Sequence, residues 1–177
     1  MRRPRAVMWA TLVLTVGGLA GACSSGSPAQ EWARKVCGAL GPWRSEITDL
    51  NQQAQAEVSA ATSPDQARAS LLRLLAGAES ATEQAHTAVV AAGTPDVAGG
   101  AEVAQSFGAS LAAARAAYAQ AGADLQALST SDEQAFYDGV VTVLASLTEA
   151  YAAAGVDPST LDSPELRQAF DEVDTCR

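Results

Sequence analysis

Between Ala104 and Leu128 the apolar side chains fall at Ala104, Phe107, Leu111, Ala114, Tyr118, Ala121, Leu125 and Leu128, in steps of three and four that never miss. An α-helix turns about once every 3.6 residues, so this spacing lays all of them along one face. A helix with one apolar face must bury it against something. Three more segments have the same need: Trp32, Val36, Leu40, Trp43, Ile47, Leu50, Ala54, Val58 and Ala61; then Leu71, Leu74, Leu75, Ala78, Ala81, Ala85, Val89 and Ala92; then Phe136, Val140, Leu144, Leu147, Tyr151 and Ala154. Helix punctuation separates them. Ser27-Pro28-Ala29-Gln30, Ser63-Pro64-Asp65-Gln66 and Ser131-Asp132-Glu133-Gln134 each read as a capping box, with Ser27, Ser63 and Ser131 at the N-cap. Gly93 and Gly155 read as stops, and Thr94-Pro95-Asp96 with Gly99-Gly100 as a turn. Ser163-Pro164-Glu165 opens a short fifth helix carrying Leu166, Phe170 and Val173. Pro42 lacks an amide and crowds the carbonyl four residues back, so a kink or brief break is expected at Gly41-Pro42. Four long amphipathic helices on short turns bury their stripes most simply as an all-α, antiparallel four-helix up-down bundle, with the fifth helix appended. The many alanines should bring the helix axes close and leave little interior volume for a ligand.

The chain begins differently. Met1-Arg2-Arg3-Pro4-Arg5 is basic, Ala6 to Ala20 is apolar, and small residues lead to Cys23, the pattern of a secretory leader. The run is short for a bilayer span, is interrupted by Gly17-Gly18 and has no charges behind it, which disfavours a retained membrane helix. Leu19-Ala20-Gly21-Ala22-Cys23 resembles the signal of bacterial lipoproteins, in which the cysteine after a small residue receives diacylglycerol and becomes the new N-terminus; Ala20 stands where a leucine is usual. The resemblance implies a signal peptide at 1–22, lipidation at Cys23, a lipidated tether over 23–28, a single helical domain over 29–177, and residence on the extracytoplasmic face of the cell membrane. The alternative is an ordinary cleaved signal with Cys23 an incidental thiol. Two acyl chains anchor stably where one does not.

Of 177 residues, removal of 22 leaves 155, enough for one domain with a real core. Removing Arg2, Arg3 and Arg5 from 11 basic residues leaves 8 against 20 acidic ones, a net charge of −12. Phosphate backbones and anionic headgroups repel such a surface, so no nucleic acid partner is expected.

With Cys23 lipidated, Cys37 and Cys176 are the remaining thiols of a chain in an oxidising compartment, and a disulfide between them is expected. Two free buried thiols or a redox pair are the alternatives, and no Cys-x-x-Cys spacing supports the latter. Trp32-Ala33-x-x-Val36-Cys37-x-Ala39-Leu40 with the terminal Phe170…Cys176 resembles small secreted lipoproteins of high-GC Gram-positive bacteria. That resemblance implies an extracellular helical domain and assigns no catalytic residue.

Reactive chemistry has few candidates. Glu83-Gln84-Ala85-His86 is a Glu-x-x-His step with Glu79 one turn earlier, the step that carboxylate-bridged di-iron bundles take from two helices. One histidine cannot complete such a set, so Glu79, Glu83 and His86 are weak metal candidates, better read as a solvated helix flank. No Gly-x-Ser-x-Gly elbow or phosphate loop occurs. The sequence therefore predicts no enzyme and no cofactor. It predicts a membrane-anchored, non-catalytic interaction or envelope-accessory module, with an envelope or extracellular protein as partner. The alternative is a small-ligand or metal carrier using the Glu79/Glu83/His86 face or a gap near Gly41-Pro42. The short tether places the start of the first helix, Cys37 and Cys176 near the bilayer and points the turns Thr62–Asp65 and Ser129–Glu133 outward.

Overall fold

The computed structural model describes residues 28–155 and 163–176. The expected leader at 1–22, the lipid acceptor Cys23 and the cap Ser27 lie outside the described residues. Within them the chain is all-helical: α1 (Ala29–Ala60), α2 (Pro64–Ala91), α3 (Gly100–Ala127), α4 (Glu133–Ala154) and α5 (Pro164–Glu172), followed by a 3-10 turn at Asp174–Cys176.

Most helix ends sit where the local chemistry puts them. The hydroxyl of Ser63 accepts from the Gln66 amide, and Pro64, with no amide to satisfy, opens α2. Ser163 and Pro164 do the same for α5, with the Leu166 amide as donor. At α4 the cap is Asp132 rather than Ser131, its carboxylate accepting from the Ala135 amide. A carboxylate at the positive end of a helix both bonds an orphan amide and offsets the dipole, which a hydroxyl does less well. Gln30 does not fold back to cap its own helix; its amide donates to Glu172 of α5. Gly93 and Gly155 follow α2 and α4 with φ of 75° and 65°, the left-handed conformation that ends helices. Gly100, at the start of α3, sits so close to Pro95 that a Cβ would stand 2.2 Å from the Pro95 carbonyl oxygen, which sets the tight α2–α3 turn.

α1 runs unbroken through Pro42. Pro42 is exposed, while Leu40 and Trp43 on either side of it are buried. The penalty of about 3 kcal/mol for an interior proline is met by burial of large side chains on the opposite face, each worth about 1.5–3 kcal/mol.

α1 packs on α2, α2 on α3 and α3 on α4, while α5 and the 3-10 turn pack on α1. The apolar side chains gather in two clusters. The first draws on the beginning of α1, the end of α2, the beginning of α3 and α5; Trp32, wholly buried, stands edge-on to Phe107 and Phe170 at centroid distances of 5.8 and 5.9 Å. Such edge contacts are favourable beyond the area they bury. The second draws on α2, α3 and α4 around Leu75, Leu125 and Phe136. Both α1 tryptophans have their indole N–H satisfied. Trp32 donates to the Gly93 carbonyl at 2.8 Å, and Trp43 to the Thr82 hydroxyl at 3.0 Å, which itself donates to the Ala78 carbonyl at 2.7 Å.

Cys37 and Cys176 are joined across 139 residues of sequence, with Cα atoms 5.0 Å apart. α5 has only 9 residues, too few to persist alone in water. The bridge holds it against α1 and removes loop-closure entropy from the unfolded chain.

Replacing both Cys37 and Cys176 by alanine should lower stability by about 2–5 kcal/mol, read as a fall in the urea midpoint. Thr82→Val keeps the volume but leaves the Trp43 indole N–H without a partner, and should cost about 1–3 kcal/mol in the same measurement.

Candidate functional site

α5 packs on α1, whereas α4 packs on α3 and makes no comparable contact with α1. Between α1 and α4 the packing therefore stays open. A cleft of about 330 Å³ lies there, between the two apolar clusters. α1 contributes Ile47 and Asn51; α2 contributes Leu74, Leu75 and Ala78; α3 contributes Tyr118; α4 contributes Leu144, Leu147, Thr148, Tyr151 and Ala152. The alanine-rich stripes did not exclude a cavity: α4 packs on α3 and leaves a cleft toward α1.

No side chain lining the cleft is charged at neutral pH. Its polar atoms are the Asn51 amide, the Thr148 hydroxyl and two phenols. Asn51 donates to the Ile47 carbonyl and Thr148 to the Leu144 carbonyl, each at 2.8 Å, so both have their oxygens left to accept. The phenols of Tyr118 and Tyr151 make no hydrogen bond among the described residues; their rings stand 6.1 Å apart, tilted. Burial, with Tyr151 beside it, pushes the Tyr118 phenol up to about 12, and burial raises Tyr151 against the opposing charge of Arg44. Both phenols stay protonated at neutral pH and can donate.

The wall formed by α4 is lightly anchored. Its fully buried side chains are Phe136, Val140 and Val143, all in its first half, and Leu144, expected on the inner stripe, is 38% exposed.

The Glu79/Glu83/His86 face lies apart from this cleft. Arg115 of α3 pairs with Glu83 and, through that hydrogen bond and its charge, holds the Glu83 carboxyl below the usual range; the Glu79 carboxylate acts on the same guanidinium. A cation arriving there would meet a guanidinium already in place. His86 lines a groove between α2 and α3, opposite Gly108. Among the described residues no group of three or more His, Cys, Asp or Glu is arranged to hold a metal ion. The gap expected near Gly41-Pro42 is a groove of about 570 Å³ along the α1–α2 seam, bordered by Gly38, Ala39, Pro42 and Gly77. It is what short side chains leave between two helices, and Glu46 stands at its edge.

The turns expected to point outward meet each other. The Thr130 hydroxyl donates to Asp65 at 2.8 Å, and Arg68 bonds both Asp65 and the Leu128 carbonyl. Periodicity placed Tyr118, Leu144, Leu147 and Tyr151 on inner stripes but gave no sign that they border a cleft, and it left Asn51 and Thr148 on the polar face. Their signal lay in α4, which has only three charged residues in 22 and yet buries little. No family model, curated protein or solved structure matches the chain.

Because the folded Tyr118 phenol ionises near 12 and the unfolded one near 10, its burial stabilises the domain in full below pH 10. That contribution is lost as pH rises through 12, since the unfolded chain releases its proton first. Tyrosinate absorbance should show late-titrating phenols for Tyr118 and Tyr151, with one of them lost in Tyr118→Phe, and the alkaline loss of stability should be smaller in that variant.

Proposed function

We propose that this chain is a lipid-anchored, extracytoplasmic accessory module that acts by binding rather than by chemistry, with the α1–α4 cleft as its binding feature. The observation that carries the reading is an apolar cleft of about 330 Å³ whose lining side chains carry no charge. Such a concave, mostly apolar site with a few polar groups is what small-molecule sites look like, and its volume lies at their lower end. The reading rests on an antiparallel up-down arrangement of α1–α4. In support, partner numbers run in opposite directions along each sequential pair: Trp32 with Gly93 and Trp43 with Thr82, then Glu83 with Arg115 and Arg68 with Leu128, then Tyr118 with Tyr151 and Leu128 beside Gly139. Attachment through diacylglycerol at Cys23 would keep the module at the membrane; no described helix is long and apolar enough to cross one.

A second reading, contact with an envelope protein through the outer turns, draws on the bonds that join Thr130 and Arg68 to Asp65, since they make one surface of two turns.

Native mass spectra of the protein purified from cell envelopes test the first reading. Wild type should carry an additional small mass that Leu144→Trp, which fills the cleft, lacks. Identical bare masses in the two proteins would reject it. Cys23→Ser should move the protein from the membrane to the soluble fraction, and retention in the membrane would reject the anchor.

A further inference from the structure

The chemistry of the cleft walls narrows what it can hold, on the reading just given. An anion would enter a site with no basic lining residue, in a chain of net charge −9. A cation would find no carboxylate there. Desolvating either charge without a partner is costly, so the ligand is neutral. A volume of about 330 Å³ lies at the small end of ligand-sized cavities, so the body it takes is small. The apolar wall comes from Leu74, Leu75, Leu144 and Leu147, while Tyr118 and Tyr151 offer phenol donors with no partner among the described residues. A protein occupant fits less well. The exposed large apolar residues of the described chain are Val90, Val141 and Leu144; of these only Leu144 lines the cleft, and Val90 lines the separate α2–α3 groove with His86. A stable protein interface needs about 800 Å² on each partner.

We propose that the α1–α4 cleft takes an uncharged small amphiphile, a single- or fused-ring or short-chain body against Leu74, Leu144 and Leu147, with a hydroxyl or carbonyl oxygen accepting from Tyr118 or Tyr151. The leucines supply affinity and the phenols supply orientation. Asn51 and Thr148 each spend one hydrogen on a carbonyl of their own helix and keep an oxygen free to accept from a ligand hydroxyl, while Asn51 retains a second N–H. The cleft discriminates against acids because no basic side chain lines it; Arg44 acts by its charge on the Tyr151 phenol but is not part of the lining.

Equilibrium dialysis of the full-length protein in detergent, with three probes of one shape, tests this: β-naphthol, β-naphthoate and naphthylmethylammonium. β-Naphthol should bind with a dissociation constant of about 100 μM or tighter, and each ion at least about tenfold more weakly. Leu144→Trp should abolish naphthol binding, as should Ala152→Leu at an exposed position of the same wall, so a folding defect in one variant leaves the other to decide. Subtracting the uptake by these variants removes partition into the micelle. Tyr118→Phe should weaken naphthol about fivefold, the worth of one neutral hydrogen bond. If an ion binds as tightly as naphthol and both blocking variants remove it, the ligand class is wrong while the cleft remains a binding site. If naphthol fails to bind, or binds equally to both blocking variants, the inference falls; if the native spectra of wild type and Leu144→Trp are also identical, the binding reading falls with it.

Discussion

The arrangement of this domain depends on what covers the flank of α1. Trp32 is wholly buried between Phe107 of α3 and Phe170 of α5, and the Cys37–Cys176 bridge fastens the chain end within reach of that contact. A helix as short as α5 would not persist there on its own propensity. With the bridge and the aromatic cluster it does, and α4 packs on α3. α4 and α5 thus lean on different neighbours, and a gap lies between α1 and α4.

The rest of the interior is filled by small side chains and a few large anchors. Ala67, Ala78, Ala85, Ala114 and Ala121 are buried along the α2 and α3 seams, so these helices approach closely, apart from the groove lined by His86 and Gly108. Trp43, Leu40 and Phe136 supply the large buried areas, and the polar atoms they bring inside are paired. At the cleft this economy stops. The second half of α4 contributes no fully buried side chain, and local opening is easiest where buried contacts are few. A wall of that kind can adjust to a small ligand while the far ends of the domain, held by the disulfide and by the Phe136 cluster, stay in place.

The charged residues have surface work. Arg115 with Glu83, Arg73 with Glu57, Arg68 with Asp65 and Lys35 with Glu31 pair across or along helices. Each pair is exposed to solvent on at least one side, where salt and water weaken it. Their service is to settle which helix faces meet and to keep an acidic protein soluble. The Glu79/Glu83/His86 step belongs among them, with Arg115 as its partner, and the uncharged cleft stands apart from all of them.

Helix number, most helix ends, the burial of Trp32 and Trp43 and the pairing of Cys37 with Cys176 could be read from the amino-acid order, because spacing, caps and thiol count are local or nearly local properties. Ser131 gave way to Asp132 as a cap, and Pro42 failed to break α1, where tertiary burial and the dipole outweighed the local signal. Tyr118, Leu144 and Tyr151 carried the correct period and the wrong meaning. A stripe says that a face is apolar; it does not say whether a neighbour covers it. By itself, the sequence determined that this protein is built of amphipathic helices, where most of them start and stop, and that its charge is acidic. Only the tertiary structure decided that α5 lies on α1 and α4 on α3, and so left a neutral cleft between them, because which of two apolar faces meets a given helix depends on the simultaneous packing of all five.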